Sequence, residues 1–328
     1  MTLLDVPCAI ERVMPSFSQR RLPITCDPPF RPTNPSVTSF RGETWLIVRL
    51  LNYRLVINEY GYFQCLSSEY SSHGTPVFRT RNFLLRLDAA GEVAHQAEIA
   101  RPADWPEPLY FKNLGFEDCR LFGWNDALWV VATIREIFVD GKARMVLARI
   151  DRPETTAARF ADWRVLDPGP PSRDEKNWMP MVDGNELFLA YNLDPLRLVD
   201  RFGATRVAGR QRHAAGNVLR GGSQLIPFDD GWLGLAHEQV VEGRRFVYYH
   251  RLVWIDSAYR LSRLTRRFYL VSPGVEFAAG LCRSADARKL TFSFGVTDYA
   301  AHLASLDAAE VCSALSDELP QLAGGIVF

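Results

Sequence analysis

The chain has 328 residues, of which 47% are hydrophobic and 23% charged, with 38 Lys+Arg against 38 Asp+Glu. That size suits one large globular domain or two ordinary ones. The neutral balance excludes a general attraction to nucleic acid or to an anionic membrane surface.

No apolar run approaches the roughly 18–20 residues that span a bilayer. Residues 1–17 lack the basic-then-apolar order of a secretion signal. The six cysteines (Cys8, Cys26, Cys65, Cys119, Cys282 and Cys312) are scattered and show no metal-ligand spacing. Free thiols, no metal and a cytoplasmic setting are expected.

Twenty Pro, 22 Gly and 12% aromatic residues favour turns and β-structure. Residues 1–33 read as a lead-in. The proline-rich Cys26–Ser36 does not suit a helix or a central strand. Thr44–Leu51 is the first strong strand. Hairpins follow around Asp/Asn/Gly turns: Leu121–Trp124 with Ala127–Arg135, Trp178–Val182 with Glu186–Tyr191, and Gln224–Phe228 with Trp232–His237. Phe277–Cys282 with Lys289–Phe294 completes the series. Arg144–Ile150, Phe246–Ile255 and Ala301–Leu306 add further strands. The units begin near Asn34, Gly115, Glu175, Arg220 and Glu276. Their unequal spacing excludes a regular short repeat and fits blades with different insertions.

The expected fold is therefore all-β: a five-bladed β-propeller of about four strands per blade, in one domain, with a short C-terminal helix. The blades span 34–307, and 308–328 form an appendage. A β-sandwich with long loops is the alternative. Asp307-Ala-Ala-Glu310 suggests a capping box for a helix over Ala308–Leu315.

Each unit opens or closes on polar residues. Glu117-Asp118-Cys119-Arg120 places two carboxylates and a guanidinium together. Side chains of strand neighbours point to opposite faces, so Glu117 and Asp118 are expected to act separately. Taken alone, the cluster also reads as a surface salt bridge. Glu175-Lys176-Asn177 precedes a strand, and Tyr191-Asn192 ends its partner. Arg220-Gly221-Gly222-Ser223-Gln224 opens the fourth unit without the form of a nucleotide-binding loop. His237 and Asp298 end later strands, where a structural histidine and a turn aspartate are the ordinary readings.

In order, these motifs resemble the mannoside phosphorylases of glycoside hydrolase family 130 and their mannosyltransferase relatives. Asn34-Pro35-Ser36 with Leu46-Ile47-Val48-Arg49 resembles the opening blade. Glu117-Asp118-Cys119-Arg120 resembles the family's Glu-Asp-Pro-Arg. Lys176-Asn177, Gly231-Trp232-Leu233 with His237, Gly295-Val296-Thr297-Asp298 and Tyr299–Asp307 follow in the family's order. The resemblance covers Asn34 to Leu315 and departs from the pattern at Cys119 and Thr297.

It implies inverting phosphorolysis, or transfer of a mannosyl-like residue, at a central site. Asp118 would be the general acid, acting through a sugar hydroxyl. Arg120, Lys176, His237 and Arg49 would bind phosphate, the co-substrate that makes a carboxylate base unnecessary. Asn52, Tyr53, Arg54, Glu117, Asn177, Tyr191, Arg220, Gln224, Glu276 and Asp298 would contact an oligosaccharide or glycoside. No cofactor, nucleic-acid or membrane partner is implied, and association between copies of the chain is left open. An inverting hydrolase on the same fold, with Glu276 or Glu238 as base, and a non-catalytic glycan-binding propeller are the competing readings.

Overall fold

The computed structural model describes residues 6–166, 174–209 and 219–315. Within them the strands form five larger sheets and a two-stranded ribbon. The first sheet is built on Arg31–Phe40, Glu43–Leu51 and Pro76–Leu87. The second runs Glu117–Trp124, Ala127–Ile134, Arg144–Asp151 and Arg159–Leu166. The third runs Met179–Asp183, Glu186–Leu193, Leu196–Asp200 and Thr205–Ala208. In the fourth, the long hairpin Gly231–Glu242 and Arg245–Asp256 is flanked by short strands. The last comprises Glu276–Arg283, Lys289–Val296 and Ala300–Asp307.

Alternating apolar positions on these strands bury against the neighbouring sheet, and the resulting core clusters follow one another in a circle. Trp45 and Ile47 of the first sheet pack with Leu121 and Val130 of the second. Phe122 and Leu147 of the second pack with Leu187 and Leu189 of the third. Met179 and Leu198 pack with Ala236 and Val253 of the fourth. Leu235 and Leu252 pack with Phe292 and Phe294 of the last. Val37 and Leu46 return the circle to Cys282 and Ala301. Sheets packed face to face around an axis make a propeller, with a short helix at Ala308–Ala314.

The expectation of about four strands per blade is corrected for two sheets. Three sheets have four strands, but the others have six and seven, and Tyr53–Ile57 with Phe63–Ser67 forms the separate ribbon. The N-terminal residues are also more than a lead-in. Ser18–Arg21 pairs antiparallel with Ala300–Asp307, and Cys8–Ala9 pairs with Phe268–Tyr269. Chain ends thereby join the sheets that close the circle.

Two local expectations fail for physical reasons. Arg31–Phe40 is a strand despite Pro32 and Pro35, because it pairs on one side only, with Glu43–Leu51, and is irregular between Thr33 and Ser36. A proline on an edge or at a bulge removes no ladder bond. The capping box does not form. Asp307 makes no side-chain cap, and the Glu310 carboxylate instead accepts from the Ser16 backbone N–H at 2.8 Å.

The innermost strands are stitched by buried polar groups. Ser36 Oγ donates to the Ala279 carbonyl and accepts from the Leu121 N–H. Gln224 Nε2 donates to the carbonyls of Val37 and Leu281, while its Oε1 accepts from the Leu281 N–H. Inner strands cannot satisfy their free edges with water, so side chains supply the missing partners.

Candidate functional site

Asp118 and Asn34 lie on facing bulges of the second and first sheets. The register slips between Glu117 and Arg120 on one strand and between Thr33 and Ser36 on the other. Asp118 has φ +49° and Asn34 φ +42°, in the left-handed region that Asp and Asn tolerate best among residues with a side chain. Asn34 Nδ2 donates to Asp118 Oδ1 at 2.9 Å, and Thr33 Oγ1 fixes the amide by donating to Asn34 Oδ1 at 3.0 Å. Glycine is required opposite this pair, because a Cβ on Gly295 would lie 2.0 Å from Asn34 Oδ1.

Arg49, only 6% exposed, crosses from the adjoining strand. It donates through Nη1 to Asp118 at 2.8 Å and through Nε to Thr80 Oγ1 at 3.2 Å. Its Nη2 is 3.6 Å from Glu117 Oε2. Glu117 and Asp118 therefore share one guanidinium. The expectation that these neighbours would point to opposite faces fails at the bulge, where both carboxylates reach Arg49.

Asp118 is surrounded by protein, yet its side chain keeps 24% exposure. Burial opposes its ionisation, but Arg49, Arg120 and the Asn34 amide prevail and hold its pKa below the usual range. Asp298 goes the other way. Burial is the main cause, Asp118 and Glu117 add to it, and together they lift it to about 6 against Arg49 and a hydrogen bond from Tyr53. The Tyr53 hydroxyl lies 3.5 Å from Asp298 Oδ2, and both Thr297 and Asp298 have positive φ. The site thus holds two coupled carboxylates with opposite shifts, a pattern suited to proton chemistry.

Arg120 is fully buried. Its donors go to the Gly222 carbonyl at 2.9 Å, the Asp118 carbonyl at 2.8 Å and Asn177 Oδ1 at 2.9 Å. Its guanidinium sits 5.2 Å from the centroid of Phe277. Burial lowers its pKa to about 10, which leaves it a cation at neutral pH. His237 is also buried, stacked on Tyr248 at 5.0 Å and edge-on to Phe277 at 5.4 Å. Burial, then His250, Arg220 and Arg120, push its pKa well down, so its ring is neutral.

Lys176 is 40% exposed, with its ammonium 3.9 Å from the Asp174 carboxylate. It lines a cavity of about 350 Å³ together with Asn177, Tyr191, Asn192 and Arg220. Gly221 permits the close approach that shapes this cavity, since a Cβ there would be 2.0 Å from the Asn177 carbonyl. The expected convergence of Arg120, Lys176 and His237 on one open point is therefore corrected. Arg120 and His237 are enclosed, Arg49 is engaged by carboxylates, and the cations that line the cavity are Lys176 and Arg220.

Several expected sugar contacts are committed elsewhere. Gln224 bridges inner strands. Asn52 donates to the Val77 carbonyl and accepts from the Arg79 N–H. Glu276, 1% exposed, accepts from the backbone N–H groups of Leu270, Val271 and Ser272 at 2.7, 2.7 and 2.9 Å. Glu238 is buried in ion pairs with Arg251 and Arg267. Neither glutamate is placed to activate water. The Tyr191 hydroxyl donates to Glu175 at 3.0 Å beside the cavity, and Arg54 is exposed next to Tyr53. Among the described residues no group of three or more His, Cys, Asp or Glu side chains could hold a metal ion. Asn34, Tyr248 and Phe277 were not singled out as site residues. Their roles depend on pairing between distant strands, and the only local signal was Asn34 ahead of a proline.

Sheets in circular succession around a polar hub define the class: an all-β propeller with its candidate site on the axis. Compared with protein families and with curated proteins, the sequence gives no match. Solved structures do share the fold. The β-1,2-mannobiose phosphorylase of Listeria innocua, in complex with β-1,2-mannobiose, has a TM-score of 0.55 at 15% identity, covering 89% of this chain and 94% of its own. MPT-4, a mannose phosphorylase of Leishmania mexicana in complex with phosphate ion, gives 0.53 at 12% identity, covering 92% of each chain. MPT-1, a GDP-Man-dependent mannosyltransferase of the same organism, gives 0.53 at 11% identity, covering 95% of this chain and 92% of its own. The chain thus shares the propeller fold of these structures over most of its length.

Proposed function

We propose that this protein is a carbohydrate-active enzyme that moves a mannosyl-like residue with inversion, between a glycoside and phosphate or a hydroxyl acceptor. The observation that carries this reading is Asp118, a partly open carboxylate held by Asn34 and Arg49 on the propeller axis. The relatives named above, one with β-1,2-mannobiose and one with phosphate, support the substrate classes.

In this reading Asp118 is the general acid and acts through a sugar hydroxyl. It must take up a proton as substrate enters. Burial is the largest influence on its titration and acts in that direction, and a sugar over its open face extends it. Tyr53 and Asp298 grip hydroxyls. Phosphate is received at Lys176 and Arg220, with Arg120 as a fixed positive charge behind Asn177. A hydrolytic reading is favoured by one observation: Asp298 is electrostatically coupled to Asp118 and is the carboxylate best poised to act as a base.

The test supplies β-1,2-mannobiose, or GDP-mannose with a mannoside acceptor, with and without phosphate. Mannose 1-phosphate formed only with phosphate is the expected product of the first. Lys176→Ala should raise the phosphate requirement about 10-fold, with less effect on sugar binding. Cleavage at full rate without phosphate makes the protein a hydrolase. No turnover under any condition makes it a glycan-binding propeller.

A further inference from the structure

Arg21, Arg31 and Arg54 form a cationic patch that the proposed reaction does not use. The guanidinium carbons of Arg31 and Arg21 lie 5.0 and 5.5 Å from the centroid of the same ring, that of Tyr299. Arg31 and Arg54 together line two cavities. One, of about 340 Å³, includes Tyr53, Ser67 and Ser68. The other, of about 310 Å³, includes Thr297, Tyr299 and His302. No carboxylate lines either cavity.

Other arginines of the sheet that carries Arg31 are paired: Arg79 with Glu69, Arg81 with Glu98 and Arg86 with Glu43. Arg21, Arg31 and Arg54 have no ion-pair partner among the described residues. Like charges gathered around one ring repel unless an anion lies among them, and guanidinium forks match the oxygens of a phosphoryl group. His302 reports the local field. Burial, and then Arg21, lower its pKa, so it adds no neutralising or positive charge. Gln19 and the backbone-bound Thr297 add only polar groups.

The patch adjoins the site through the chain itself. Arg54 follows Tyr53, and Tyr299 follows Asp298, the two residues whose side chains meet at the sugar-gripping end. We infer that Arg21, Arg31 and Arg54 bind the phosphate group of a phosphorylated sugar whose ring extends toward Tyr53 and Asp298. The inference rests on the carbohydrate reading above and specifies a substrate class within it.

The test is binding rather than turnover, so that it can fail independently of the reaction. Asp118→Asn protein is titrated calorimetrically with mannose 6-phosphate, mannose, mannuronate and inorganic phosphate. Mannose 6-phosphate should bind at least about 10-fold more tightly than mannose, and 0.5 M NaCl should erode the difference. The double substitution Arg21→Gln with Arg31→Gln should remove that preference while mannose binding and the thermal melt are kept. Lys176→Ala should leave it in place. The inference is overturned if mannose 6-phosphate and mannose bind alike. Equal losses for both ligands in the double variant, or a stronger preference for mannuronate, would also overturn it. Inorganic phosphate that binds as tightly as the sugar phosphate, and loses that binding in the double variant but not in Lys176→Ala, would overturn it by assigning the patch to the free ion.

Discussion

The Asn34 amide and the Asp118 carboxylate meet at 2.9 Å across two β-bulges that face each other from different sheets. Both residues have positive φ. Strain of this kind is retained only where the surroundings fix it, and here Arg49 and Thr33 do so. Asp118 is thereby presented on a strand rather than on a loop.

Asp118→Asn tests the acid directly. The amide keeps the shape and one hydrogen bond but delivers no proton. Turnover should fall by about 10²–10⁴-fold, with little change in sugar affinity or in the circular dichroism spectrum. Retention of most activity would move the acid's role to Asp298 or Glu117.

Gly295→Ala tests the support rather than the acid. The new methyl would lie 2.0 Å from Asn34 Oδ1 and 2.6 Å from the Asn34 backbone nitrogen, so the bulge must shift. A displacement of this kind at a catalytic group should cost about 10²-fold in kcat. Sugar affinity, measured by equilibrium binding, should change less. Unchanged kcat would show that Asp118 does not depend on Asn34 for its position.

Glu276→Gln separates structure from catalysis. The glutamate oxygens accept three backbone N–H groups, and one side of an amide presents a donor to them instead. Unfolding free energy should drop by about 1–3 kcal/mol, read by denaturant titration, while the folded fraction keeps its turnover. An unchanged melt with abolished turnover would restore Glu276 as a base.

The strands were legible because alternating apolar residues and Asp/Asn/Gly turns are local signals. Glu186–Tyr191 and Ala301–Leu306, for example, are observed as Glu186–Leu193 and Ala300–Asp307. Clustering of Glu117, Asp118 and Arg120 was legible from adjacency alone. Which way each side chain turns was not, because a bulge adds one residue and reverses the alternation on which the reading relied. The burial of Glu276 and Glu238 was equally hidden. It depends on the 270–272 backbone in one case and on Arg251 and Arg267 in the other. A carboxylate in sequence looks the same whether it faces a substrate or caps a loop.

The Asp298 carboxyl, at about 6, should set the acid side of the pH profile. In the proposed reaction it accepts sugar hydroxyls as a carboxylate, so kcat/KM should rise as pH increases to about 6, falling about tenfold per unit below it. Asp298→Asn should flatten that limb. Stability supplies an independent reading. A carboxyl whose pKa is raised on folding favours the folded state at low pH, and the benefit is lost as pH rises from its unfolded value through about 6. Asp298→Asn should therefore gain stability relative to the parent at pH 8 but not at pH 4. Asp118, shifted downward, has the opposite sign, and its contribution is lost as pH falls. A kcat/KM profile that declines through pH 6 instead, with the same stability response, would make protonated Asp298 the proton donor and leave Asp118 as the charged group that orients the sugar.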